Sequence, residues 1–259
     1  MKAKAIAIQP RLIPRARLLG LLDEWGRQPV GPPGVTCLPP GAALGVEWEW
    51  LPESAKGSGT GLALVSQPDG RRVAIAPPFP FESEGRGAGF LREHMLLKRT
   101  VGIILLRLGH YAVCVGDDET AVSPKSGHRY VHGRHRAGGQ SQHRYEHNRE
   151  GWIRELYDEL CEVAAARFRE FAQPERAGSG RGVPARADPG AGRAIEWLAL
   201  GGDRIVLSGF LKRCEALGGL RERVLPWRVP VERPGADALT DAVTAVWSSR
   251  LYAAPERAV

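Results

Sequence analysis

His132-Gly133-Arg134-His135-Arg136-Ala137-Gly138-Gly139-Gln140-Ser141 is a basic, glycine-punctuated run, and the residues that follow it decide the architecture. Ile153, Leu156, Tyr157, Leu160, Val163, Ala164, Phe168 and Phe171 recur at three- and four-residue intervals, which predicts one long amphipathic helix from about Ser141 to Ala172. Its first turns are polar and basic, and its later turns carry the apolar stripe. Paired glycines let the backbone take positive φ and approach a ligand with no Cβ in the way. Amides at the start of the helix, aided by its dipole, suit a phosphate or a developing oxyanion. Ser141 is the expected N-cap. The flanking arginines would hold phosphates and so position an RNA without reading its sequence. A plain turn before a helix asks for the same Gly-Gly-Ser, so the tripeptide alone does not separate structure from chemistry.

Working outward, Thr100–Leu108, His110–Val115 and Glu119–Val122 read as three antiparallel strands joined at Leu108-Gly109 and Gly116-Asp117-Asp118. Pro124–Gln140 reads as neither strand nor helix. After the long helix, residues 173–193 are dense in Gly, Pro and Arg, the composition of a flexible insertion. Strands at Ala194–Leu200, Arg204–Leu207 and Val224–Val231, with helices at Gly209–Leu217 and Ala236–Tyr252, complete an α/β (α+β) unit: a mixed sheet with flanking helices. Toward the N-terminus the pattern is smaller and richer in loops. It gives a helix at Arg11–Arg27, strands at Val35–Leu38 and Gly45–Leu51, and a hairpin of Leu62–Ser66 with Arg71–Ala76 around Pro68-Asp69-Gly70. A Pro/Gly-rich link at Pro77–Gly89 follows. The expected division is a small α+β region over residues 1–95 and a larger domain over 96–259.

Composition bounds the function classes. A chain of 259 residues, 43% hydrophobic and 25% charged, is long enough for one large or two small globular domains. It contains no apolar run of 18 residues and no secretion signal at its start, so a cytoplasmic protein without a membrane partner is expected. Cys37, Cys114, Cys161 and Cys214 form no CxxC pair, which argues against a zinc knuckle and for reduced thiols. The net charge of +7 favours a polyanionic partner. Lys125–Glu150 alone holds six cations against Glu146 and Glu150, more than half of that excess.

Gly133-Arg134-His135-Arg136-Ala137-Gly138-Gly139-Gln140-Ser141, then Arg144-Tyr145 and Arg149-Glu150, resembles the middle domain of the class I peptide-release factors of eukaryotes and archaea. The likeness runs from about Lys98 to Tyr252. The decoding motifs of those factors, Asn-Ile-Lys-Ser and Tyr-x-Cys-x-x-x-Phe, are absent, and the chain ends after the middle-domain pattern. Codon reading and recruitment of a GTPase by a third domain are therefore not expected. What remains is similar to the Vms-like branch, here in a bacterial form, whose members free nascent chains from tRNA on stalled large subunits in ribosome-associated quality control. The resemblance implies a peptidyl-tRNA hydrolase with Gln140, Gly138 and Gly139 as catalytic residues. Arg134, His135, Arg136, Ser141, Arg144 and Arg149 would be its RNA-binding residues. The large ribosomal subunit, rRNA and peptidyl-tRNA are the implied partners, the protein is expected to be a monomer, and no cofactor or metal is required.

Two other readings stay open on the residues alone. His128, His132, His135, His143 and His147 have ligand-like spacing, but neither Asp nor Cys accompanies them and arginines at 129, 134, 136 and 144 would repel a cation. A noncatalytic ribosome-binding factor would use the same basic surface without needing Gly-Gly-Gln. Asp117-Asp118-Glu119 reads most simply as a hairpin turn.

Overall fold

The computed structural model describes residues 9–27, 31–129, 140–173 and 193–255, with only the backbone of 140–148 described. In chain order the elements are β1 (Arg11–Ile13), α1 (Arg15–Arg27), β2 (Gly34–Leu38), α2 (Glu53–Lys56), β3 (Leu62–Ser66), β4 (Arg72–Ala76), β5 (Gly85–Arg86) and α3 (Gly87–Leu96). Next come β6 (Thr100–Arg107), β7 (His110–Asp117), β8 (Thr120–His128), α4 (Gln140–Ala172), β9 (Trp197–Gly202), α5 (Arg204–Arg213), β10 (Val224–Val229), α6 (Ala236–Val246) and β11 (Ser249–Ala253). The chain divides into two compact units, one of Met1–Leu97 with Thr244–Val259, the other of Lys98–Val243. The fold is mixed α+β.

In the first unit the strands run in the order β1-β11-β4-β3-β2-β5, every pair antiparallel. Alternation along β3 explains its two buried faces. Ala63 and Val65 join Leu18, Leu22, Leu91 and Met95 on one side, while Leu62 and Leu64 join Trp48, Leu51 and Tyr252 on the other. Several expectations are corrected here. The N-terminal helix starts at Arg15, because Arg11–Ile13 pairs with Leu251–Ser249 as a strand. Val46–Trp48 is a 3₁₀ turn rather than a strand, its amides bonding three residues back to bury Trp48. Part of the Pro77–Gly89 link is helix α3, and the last helix stops at Val246 so that β11 can pair with β4. That pairing puts residues 244–259 in the first unit, whereas the sequence pattern ran the second domain to 259.

The second unit holds a five-stranded sheet in the order β10-β9-β6-β7-β8. β9 runs parallel to β6 and β10, and β6, β7 and β8 are antiparallel. Central strands of a covered sheet should be apolar on both faces, and Val101 through Leu106 is buried throughout, Gly102 included. α4 lies on this sheet through Leu156, Leu160, Ala164, Phe168 and Phe171, packed with Ile104, Val113, Val115 and Phe210. Gly102 makes the approach possible: a Cβ there would stand 2.6 Å from Cζ of Phe168. β8 is an edge strand, where Pro124 leaves no ladder donor unpaired, and its register shifts between Val113 and Val115 with Ser123 at φ 51°. The strand thus extends to His128, into the segment expected to be irregular.

Arg204–Leu207 opens α5 rather than forming a strand. Asp203 Oδ1 accepts from the amides of Ile205 at 2.8 Å and Val206 at 3.0 Å, capping the helix. Asp118 and Glu119 both take positive φ in the two-residue β7–β8 turn, and Asp117 pairs with Arg193 at 3.0 Å, so this acidic run is structural. Cys161 of α4 and Cys214 after α5 form a disulfide, correcting the expectation of four reduced thiols; packing of α4 on α5 joins residues 53 apart in sequence. Cys37 and Cys114 are free, and burial pushes both thiols up to about 12. No helix among the described residues is long and apolar enough to cross a membrane. The 173–193 insertion, apart from Gln173 and Arg193, lies outside the described residues.

Candidate functional site

Gln140 is the first residue of α4, so its backbone N–H belongs to the opening turn, whose donors have no acceptor within the helix. Ser141 is consequently the second helical residue rather than the cap. Arg144 follows within the first two turns. Gly138, Gly139, Arg134, His135 and Arg136 lie outside the described residues. Arg149 is half-buried, and its charge is felt at the Tyr157 hydroxyl, whose titration is raised by burial and by Asp203 and lowered by Arg149.

The helix is 33 residues long, about 50 Å, and the first fully buried among its described side chains is Leu156, about 24 Å along the axis from Gln140. The apolar anchor and the N-terminal end of α4 are therefore well separated along the helix axis. Besides the apolar stripe, the strand end that leads into the loop makes polar contacts with this helix.

Arg129, the last described residue before the loop, donates to Glu155 Oε2 at 2.6 Å and to Glu159 Oε2 at 3.2 Å, both on α4. Tyr111 of β7 donates to Glu159 Oε1 at 2.7 Å. The amide of Arg129 bonds the carbonyl of Gly109 at 2.9 Å, at a turn where Gly109 has φ 87°. Burial first, then the bond to Glu159 and its charge, hold the Tyr111 hydroxyl protonated well above the usual range, so it stays a donor. Gly127, opposite Tyr111 in the ladder, is required for this: a Cβ there would collide with the tyrosine ring. The residue before the loop is thus tied to α4 at a point about 22 Å along the helix axis from Gln140.

Sequence patterning counted Arg129 among the free cations of the basic run; the structure engages it with two carboxylates instead. Glu155 and Glu159, four apart on one helix face, were the available signal, since such a pair calls for a cation. Of the five clustered histidines, only His128 has a described side chain; it faces His110 across the β7–β8 ladder with ring centroids 6.3 Å apart.

The chain is similar to the crystal structure of an archaeal translation termination factor, aRF1, at 16% identity and a TM-score of 0.39, covering 90% of this chain and 70% of that one. A second archaeal protein shares 14% identity at a TM-score of 0.33, over 91% of this chain and 73% of the other. No curated protein matches the chain. A family model, that of the actinobacteria/chloroflexi VLRF1 release factors, matches residues 99–252 and so takes in the basic loop, all of α4 and the sheet beneath it. With more than half of its length in that match, the chain belongs to the actinobacteria/chloroflexi VLRF1 release factor family.

Proposed function

We propose that this release factor hydrolyses the ester between a nascent peptide and the 3′ end of its tRNA, on stalled ribosomes or large subunits and without reading a codon. One observation carries the reading: within the family-matched region, Gly138-Gly139-Gln140 ends on the first residue of a long helix anchored far from that end. In the reaction, water adds to the ester carbonyl, the ester C–O bond breaks, and the free peptide acid and the tRNA 3′-hydroxyl leave. The backbone N–H of Gln140 donates to the developing oxyanion or the leaving oxygen, a contribution of about 3 to 4 kcal/mol for one such donor. Its side chain orients the water. Gly138 and Gly139 let the chain pass close to the ester, and rRNA and tRNA groups complete the site.

Arg134, His135, Arg136, Ser141, Arg144 and Arg149 contact RNA, while Arg129 acts through its clamp as a positioning residue. The work takes place at cytoplasmic ribosomes, by a monomer, with no cofactor. Ribosomes carrying peptidyl-tRNA and either a stop codon, a sense codon or an empty A site test the reading. Equal release from all three is expected; release confined to the stop codon would overturn it.

A further inference from the structure

The second unit carries a concave site that the peptide-release reading leaves unused. It is a cleft of about 860 Å³ between α5, the turn at Glu215–Glu222 and the start of β10. Arg204, Lys212, Arg221 and Arg228 line it against a single carboxylate, Glu222. All four cations are exposed, and none forms an ion pair with a described residue, whereas Arg213, also on α5, is held by Asp158 at 2.5 and 2.7 Å. The floor is aliphatic, with Leu207 buried and Leu211 half-buried. Gly218, at φ 50° and ψ −131°, kinks the turn that forms one wall, and its carbonyl accepts from Arg221 Nε at 3.4 Å.

An excess of three positive charges over an apolar floor selects an anion that also has a flat apolar part. A nucleotide meets both demands: phosphates take the cations, and a base lies on the floor or stacks on a guanidinium plane. The guanidinium planes of Arg204, Arg221 and Arg228 can stack on a base, a contact that an acidic peptide would leave unused. We infer that this cleft binds an unpaired, single-stranded RNA segment, with Arg204 and Arg228 on successive phosphates. It is a second RNA contact, remote in sequence from the loop at 138–140, and it stands whether or not the loop hydrolyses an ester.

The test uses the full chain and a 12-residue oligouridylate carrying 4-thiouridine, cross-linked by near-ultraviolet light, with the attached peptides mapped by mass spectrometry. Adducts within residues 204–228 are expected, and Arg204→Ala with Arg228→Ala should cut their yield at least tenfold. The same pair should flatten the dependence of log affinity on log salt by about 1.4, at roughly 0.7 per phosphate on a single strand. Both positions are exposed, so the melting temperature should hold, and a melt run in parallel checks it. An arm with 4-thiouridine monophosphate distinguishes the sources: labelling only by the oligomer identifies a strand site, equal labelling a free-nucleotide site, which would overturn the assignment to RNA strands. Adducts lying only outside 204–228, or displacement of the oligomer by a glutamate decapeptide at equal concentration, would overturn it also. The outcome is read without peptide release, so its failure is separable from that of the hydrolytic reading.

Discussion

Arg129→Ala should slow peptide release far more than it loosens the protein. The side chain makes two ion pairs, at 2.6 and 3.2 Å, whose members are 37 to 54% exposed, so solvent screens both. Such pairs are worth about 0.2 to 1 kcal/mol each, and the variant should lose about 1 kcal/mol in all. In a chain of this size that lowers the melting temperature by about 2 to 4 °C. The bond from Tyr111 to Glu159 survives, as does the apolar stripe. What is lost is the tie between the loop's entry and α4, and a misplacement of about 1 Å in a reacting group can cost a hundredfold. Release should therefore fall about 10- to 100-fold in kcat with little change in KM. Glu159→Gln, which still accepts from Tyr111 but loses the charge facing Arg129, should fall between the two. Single-turnover release from large subunits, run beside thermal melts, measures both effects. Wild-type kcat in Arg129→Ala would refute the positioning argument, leaving the clamp as a stability feature only.

Other expected outcomes follow from packing and charge. Gly102→Val should destabilise the fold by about 1 to 3 kcal/mol, since its side chain meets Phe168, and Phe168→Leu in the same chain should recover part of the loss in urea melts. Asp158 is held below the usual carboxylate range by its bonds to Arg213, so the pair's small contribution is complete above pH of about 4 and fades as acid protonates Asp158. A carboxyl NMR titration should show that depression, and Arg213→Ala should abolish it; an unchanged titration would contradict the pairing. Replacing both Cys161 and Cys214 by Ala should lower stability under oxidising conditions by up to about 4 kcal/mol, given the 53-residue separation, and by much less in reductant. Equal melts in both conditions would exclude the bridge.

Long-period signals were the legible part of the chain. The stripe from Ile153 to Phe171 marked α4 within a residue, because a helix that buries one face must repeat its apolar residues. Thr100–Leu108 and His110–Val115 were equally plain, being strands covered on both faces. Short segments misled wherever a single cap or a distant pairing decided the matter. Arg204–Leu207 looks like a strand until Asp203 is seen to cap it, and Ser249–Ala253 continues a helical pattern until β4 offers it a ladder. At the candidate site, Gln140 could be nominated from the sequence but the clamp could not, since Tyr111, Arg129 and Glu159 are brought together only by the β7–β8 edge and α4.

Large subunits carrying labelled peptidyl-tRNA, free of mRNA and of small subunits, put the hydrolytic claim to its most direct trial. The wild-type chain should free the peptide as an acid and leave deacylated tRNA. Gly139→Ala should impair release at least as severely as Gln140→Ala, because the first alters the backbone path while the second retains the Gln140 N–H. Peptide that remains esterified in the presence of bound wild-type protein, or release at the wild-type rate by Gly139→Ala, would contradict the account.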